Sequence, residues 1–159
     1  MAEDKKTITK IVNNSFWFEK VHNNTGSTYE EGEAIGTVQS LEVRGAGGGG
    51  IFLTINAFTY DAVAVPLRIW FFRRRPRAVA DGVVIVFYPN DMKKFAAFRD
   101  IPAGLYITKG NLRLAHLANA NVAFSCPDGF LYYIVECMGT GQTYKNNNTL
   151  ELTFGDWPD

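Results

Sequence analysis

Residues 66–72 read PLRIWFF. In an extended chain successive side chains point to opposite faces. Leu67, Ile69 and Phe71 then share one face, and Arg68, Trp70 and Phe72 the other. A period of two in bulky and β-branched residues marks a strand, not a helix. The same period recurs along the chain. Leu150, Leu152 and Phe154 alternate with Thr149, Glu151 and Thr153 in TLELTF, and Ile51, Leu53, Ile55 and Ala57 alternate with Phe52, Thr54 and Asn56 in IFLTINA. The run FLYYIVEC, residues 130–137, is apolar or aromatic on both faces and reads as a central strand.

Further runs stand at 7–12, 16–21, 34–43, 83–88, 104–107, 112–116 and 122–126, bounded by Gly, Asn, Asp or Pro, and of these eleven runs about eight to ten are expected to be strands. The fold class this predicts is all-β: an antiparallel β-sandwich, jelly-roll-like, with one short helix. The helix is expected in DMKKFAAF, with Asn90 as its cap and Met92, Phe95 and Ala96 as its apolar stripe. Residues 1–28 are expected to form an N-terminal arm or extra strands, and residues 29–159 the sandwich.

The chain has 159 residues, the size of a single domain, and 47% of them are hydrophobic. Sixteen Lys and Arg balance sixteen Asp and Glu. That balance makes a protein devoted to nucleic acid an unfavoured reading, because such proteins carry a basic excess. No apolar run is long enough for a helix to cross a bilayer. The charged opening MAEDKKTITK has no apolar core of a secretory signal, so the N-x-S/T triplets at Asn13, Asn23 and Asn147 read as turn residues, not glycan sites. Cys126 and Cys137 fall on what reads as two arms of a hairpin about Pro127–Gly129, at positions too far apart to bond. Two free thiols fit synthesis in a reducing cytoplasm.

Chemical motifs are sparse. GAGGGG at 45–50 satisfies G-x-G-x-x-G, but a strand and no helix follows it, so no dinucleotide site is expected. Glu30, Glu31 and Glu33 lack the spacing of a calcium loop and read as a solvated turn. None of the four serines stands in G-x-S-x-G, and His116 reads as a packed strand or turn histidine. No catalytic residue, cofactor or metal ligand is expected, and the chain reads as a non-enzyme.

One feature stands out. Immediately after IWFF come Arg73, Arg74, Arg75, Pro76 and Arg77. Proline cannot donate to a sheet ladder, so the strand ends at or before it and the arginines occupy a loop. Consecutive guanidinium groups stay in water or meet acidic or phosphate partners. With no net charge on the chain, a complementary protein surface suits them at least as well as nucleic acid. Trp17, Trp70 and Trp157 are further interface candidates, since contact hot spots favour Trp, Tyr and Arg.

Several segments in this order resemble a group of small virion structural proteins of tailed bacteriophages. They are YEEGEAIG (29–36), GGGGIFLTI (47–55), PLRIWFF (66–72), AVADGVVIVFYPNDMKKFAAF (78–98) and FLYYIVECMGTGQTYKNNNTLELTF (130–154). The resemblance spans about 125 residues by the extent of these segments. It implies a β-sandwich acting as a capsid decoration, or cement, protein that is made in the host cytoplasm and resides on the capsid surface. The implied partners are the major capsid protein, neighbouring copies, or both, in a homo-oligomer for which a trimer is the simplest guess. A tail, connector or head-fibre part, or a carbohydrate-binding sandwich, is the alternative. RRRPR departs from the group, where a short Asp/Ser/Pro turn follows the corresponding strand, and the first 28 residues are longer and more aromatic than in that group.

Overall fold

The structure is a computed structural model that describes residues 7–12, 15–22, 28–43, 45–60, 63–144 and 150–158. The side chains of 7–22 and 156–158 are excepted. The strands are β1 (Thr7–Val12), β2 (Ser15–His22), β3 (Thr28–Tyr29), β4 (Gln39–Glu42), β5 (Gly48–Thr59), β6 (Leu67–Phe72), β7 (Phe95–Ile101), β8 (Tyr106–Lys109), β9 (Leu112–Leu117), β10 (Val122–Cys126), β11 (Phe130–Cys137), β12 (Gln142–Thr143) and β13 (Leu150–Pro158). The α-helix among the described residues, α1, is Pro89–Met92.

The strands form two antiparallel sheets and a two-stranded ribbon of β12 and β3. The larger sheet runs β1-β2-β13-β5-β9-β8, with β10 beside the first half of β5, and the smaller runs β4-β11-β6-β7. The protein is an antiparallel β-sandwich. Its main core is an aromatic cluster that joins the layers. Phe52 and Phe154 come from the large sheet, and Phe71 and Tyr133 from the small one. Phe52 lies 5.9 Å from Phe71 and 5.1 Å from Phe154, and Tyr133 lies 5.4 Å from Phe154, ring centre to ring centre. Offset and edge-on contacts of this kind add to the burial of the rings themselves.

The strand FLYYIVEC is central, with β4 on one side and β6 on the other. Because both of its faces are apolar, the small sheet needs cover twice. The large sheet covers its inner face. The outer face carries a second core of Ala34, Val38, Phe72, Tyr132 and Ile134, against which Trp70, Val79, Ile85, Phe87 and Phe95 pack. Residues 73–94 therefore run across the sheet as a lid. The stretch 83–88 is part of this lid and not a strand, apart from a single bridge between Val84 and Glu33.

Two bulges overturn two readings of the sequence. In β5, Gly155 pairs with Thr54 and Asp156 with Phe52, so Leu53 is an extra residue. One extra residue inverts the alternation. Phe52, Ile55 and Ala57 are buried together, while Ile51 and Leu53 are 41% and 39% exposed. The Leu53 carbonyl accepts from Ala120 N at 2.8 Å, where β5 exchanges β10 for β9 as its neighbour. In β7, Phe71 pairs with Ala97 and Phe72 with Phe95, which leaves Ala96 extra. The bulge places Phe95 and Phe98, three residues apart, on the same face against Trp70 at 6.0 and 5.2 Å. Of the expected stripe Met92, Phe95 and Ala96, the last two lie in this bulged strand. The expected helix over DMKKFAAF is thus a four-residue turn from Pro89 to Met92, flanked by Tyr88 and not capped by Asn90, followed by a strand.

The expected hairpin about Pro127–Gly129 is also a different object. β10 pairs with β5 in one sheet and β11 with β4 and β6 in the other, so the turn is a corner between layers. Cys126 and Cys137 are buried and unbonded to each other. The glycine run enters β5 directly, with Gly48, Gly49 and Gly50 opposite Cys126, Ser125 and Phe124.

Truncating the two neighbours Ile51 and Phe52 in turn tests the bulge. Phe52→Ala is expected to cost about 3–5 kcal/mol in denaturant unfolding. Ile51→Ala, on the outer face, is expected to cost less than about 1 kcal/mol. The unshifted alternation demands the reverse order.

Candidate interface formed by the arginine loop

β6 ends at Phe72, and the chain turns out of the sheet at Arg73. The Arg73 N–H donates to the Lys94 carbonyl at 2.9 Å, and its guanidinium donates to the Lys93 carbonyl at 3.1 Å, closing the lid at its base. Pro76 is buried, while Arg73, Arg74, Arg75 and Arg77 are exposed. The buried carboxylate of Asp91 staples the two passes of the lid. It accepts from Arg77 N at 2.9 Å and from Tyr88 N at 3.1 Å.

Burial alone would raise the pKa of Asp91. The two backbone donors and the charges of Lys94 and Arg77 outweigh that and hold it below the usual carboxylate range. The staple leaves both guanidinium ends near aromatic faces, Arg77 3.9 Å over the Tyr88 ring and Arg75 5.9 Å over Tyr132. Burial, with Asp128 accepting from its hydroxyl at 2.9 Å, pushes the Tyr132 pKa up. A shallow hollow of about 500 Å³, lined by Pro76, Arg77, Tyr88, Pro89, Asn90, Asp91 and Lys94, opens beside the loop.

The lid then runs to the opposite end of the sheet. There Gly82 N donates to the Ala34 carbonyl, Ala34 N to Val83, and Ile85 N to Gly32. Asp81 accepts from the Tyr29 hydroxyl at 2.9 Å and from Gly36 N at 2.5 Å. The segments YEEGEAIG and AVADGVV therefore clasp one another. Glu30, Glu31 and Glu33 sit on the outside of this clasp as a turn tied to β11, with Gly32 N on the Cys137 carbonyl and Cys137 N on the Glu33 carbonyl, both at 2.8 Å.

The four arginines thus come together on one rim. Trp70 does not join them. It is half-buried beneath the lid, its indole N–H donates to Glu136 at 2.6 Å, and Phe87 lies 4.9 Å away. Trp17 and Trp157 stand on the backbones of β2 and β13, and their side chains lie outside the described residues. The basic rim also contains Lys93 and Lys94, and Tyr88 with its stacked arginine. The sequence reading did not single these out. The signal was present in two neighbouring lysines placed one lid-length after the arginines, but it required knowing that the lid returns.

Elsewhere the side chains do not converge on chemistry. His116, expected to be packed, is instead exposed on the open face of β9, hydrogen-bonded to Asn56. Burial raises the pKa of the Cys137 thiol, which lies 3.1 Å from the Gly139 carbonyl. Among the described residues no group of three or more His, Cys, Asp or Glu could hold a metal ion, and no helix is long and apolar enough to cross a membrane.

No protein-family model matches the chain, and no curated protein does. Among solved structures, it is similar to CBM27-1 of Caldicellulosiruptor saccharolyticus, determined with mannohexaose, at 11% identity and a TM-score of 0.39, covering 100% of this chain and 88% of that one. It is also similar to CorA, a surface-associated copper-binding protein of Methylomicrobium album BG8, at 9% identity and a TM-score of 0.36, covering 92% and 94%. Likenesses this slight fix neither fold nor ligand.

The Asp91 staple predicts a pH dependence. A carboxylate with a depressed folded-state pKa stabilises the fold above its unfolded value, near ~3.9, and that stability is lost as pH falls through the folded value. Urea midpoints measured from about pH 6 down to about pH 2 are expected to fall in wild type, and the Asp91→Asn variant to lose part of that slope. Parallel curves for the two proteins count against the staple.

Proposed function

We propose that the chain is a non-enzymatic virion structural protein of a tailed bacteriophage, acting as a capsid decoration protein whose arginine loop binds an acidic protein surface. The observation that carries this reading is the clasp. Three of the segments that resemble the phage group form a single packed unit on the small sheet: YEEGEAIG, PLRIWFF and the 78–98 stretch. The segments are joined through Asp81 and the shared outer core. Their co-occurrence is then a packing requirement and not a catalytic one. The departure from that group, RRRPR, is the part left on the rim.

A decoration protein works by burying surface across neighbouring capsid subunits, on the order of 1,600 Å² for a standard interface. Many copies on a symmetric shell multiply a modest affinity. A tail, connector or head-fibre location uses the same fold and differs in copy number. The carbohydrate-binding alternative needs open aromatic faces for sugar rings. Of the exposed rings Tyr60, Tyr88, Phe98 and Phe130, those of Tyr88 and Phe98 each have a guanidinium over one face, at 3.9 Å from Arg77 and 4.7 Å from Arg68, and make poorer sugar platforms for it.

The test is the composition of purified particles. Tailless heads are expected to retain the protein at a copy number that matches the shell symmetry, by quantitative mass spectrometry and image reconstruction. Its absence from particles overturns the reading, and its presence only on tailed particles moves it to the tail. Re-attachment of purified protein to stripped heads is expected to weaken as salt rises, because exposed charges are screened over about 10 Å at 0.1 M. Replacing Arg73, Arg74, Arg75 and Arg77 together by Ala is expected to abolish most of that salt-sensitive binding. Unchanged attachment excludes the loop as the contact.

A further inference from the structure

The chain has no net charge, yet its charges are sorted along the small sheet. Phe72, where the arginine loop begins, pairs with Tyr132 near the start of β11. Glu33 and Gly32 hydrogen-bond to Cys137 at the other end of β11. Five residues of strand separate the two, about 17 Å at ~3.3 Å per residue. That exceeds the screening length of about 8 Å at physiological ionic strength, so the two ends do not neutralise one another within one molecule.

The arginines are only partly offset locally, because Arg73, Arg74, Arg75, Arg77, Lys93 and Lys94 outnumber Asp91, Asp128 and Glu42 at this end. Asp91 is buried and occupied by two backbone N–H groups. Asp128 accepts from Phe130 N and the Tyr132 hydroxyl. The ion pair that the described residues do show, Arg68 to Asp100 at 2.6 Å, lies towards the acidic end of the sheet, in the strand register of Glu136. Glu136 accepts from the Trp70 indole and shares the field of Arg68, so the negative excess at this end is carried by the glutamate turn. Both ends are held to the lid and β11 by backbone hydrogen bonds, so each presents its charges from a fixed base.

From this sorting we infer that the basic rim of one copy docks on the glutamate turn of a second copy, head to tail. The occupant of the arginine loop is the Glu30–Glu33 turn of another molecule of this chain. A contact between two different surfaces leaves each new copy with one basic and one acidic end open, so it propagates or closes into a ring. The contact is made of exposed charges, so it is weak in free solution and screened by salt. It becomes populated where copies are held close together, as on a shell. The inference rests on the reading of the arginine loop as an interface and names the surface it meets.

The experiment uses the free full chain, so its outcome is separate from whether particles contain the protein. Sedimentation velocity is run over a concentration series at about 20 mM and about 500 mM salt, where screening lengths differ severalfold. The expected result is concentration-dependent oligomers at low salt, with an apparent dissociation constant at least tenfold weaker at high salt. Two variants are compared, one with Arg73, Arg74, Arg75 and Arg77 changed to Ala, the other with Glu30→Gln, Glu31→Gln and Glu33→Gln. The amides keep the acceptors that Glu33 and Glu30 offer to Glu30 N and Gly141 N. Each variant alone is expected to be monomeric, with wild-type circular dichroism and melting. Mixed in equal amounts they are expected to form a dimer and nothing larger, because each retains one working end. Monomeric wild type at low salt overturns the inference, as do a glutamate variant that associates as wild type does and a mixture that stays monomeric. Low-salt oligomers that vanish on nuclease treatment overturn it in favour of a nucleic-acid bridge.

Discussion

Everything in this molecule follows from a four-stranded sheet that is apolar on both faces. A sheet face of Phe, Tyr, Trp and Ile left in water forfeits on the order of 25 cal/mol per Å² of apolar area. Packing the larger sheet on one side satisfies half the requirement. The other half falls to a connection that would otherwise be a loop, residues 73–94, which lies flat across Trp70, Phe72 and Ile134. That connection has little regular structure of its own, so its polar backbone must be anchored at each end. Asp91 does this at the arginine end and Asp81 at the glutamate end. The charged ends are therefore by-products of a covering problem solved with two aspartates.

Much of this was legible from the chain. Period two in PLRIWFF and TLELTF, and the two-faced apolarity of FLYYIVEC, suffice for an antiparallel sandwich with β11 at the centre of its sheet. The failures have a common physical origin. Face assignments assume unbroken alternation, and a bulge breaks it without any marker in composition. Leu53 looks like its neighbours, yet it shifts Phe52 into the core and Ile51 out of it. Ala96 is likewise an extra residue in β7, and with Met92 and Phe95 it makes up the apparent helical stripe although Phe95 and Ala96 belong to a strand. The corner at Pro127–Gly129 misleads for a different reason. A tight turn between two strands specifies that the chain reverses, and not that the two arms pair.

The candidate interface was legible in part. RRRPR announces a basic loop, and Pro76 announces where the strand stops. What the one-dimensional pattern does not contain is the return of the lid, which brings Tyr88, Lys93 and Lys94 alongside Arg73–Arg77. It likewise hides the separation of opposite charges by the length of β11. A net charge of zero reads as electrostatic blandness until the fold shows an excess of each sign at a different end of the sheet.

The position of β13 has a bearing on how the molecule is made. It lies between β2 and β5, pairing with both along nearly its whole length, and it is the last of the described strands to be synthesised. Until it arrives, β2 has β1 as its sole partner and β5 presents a bare edge. While β13 is missing, the large sheet is a half-assembled layer whose two parts cannot find each other locally. Long-range pairing of this sort is slow and leaves sheet edges open to other chains. Closure of the large sheet waits for a segment that enters between partners already in place, and crowding by sister chains before that moment is the period of greatest exposure to mispairing.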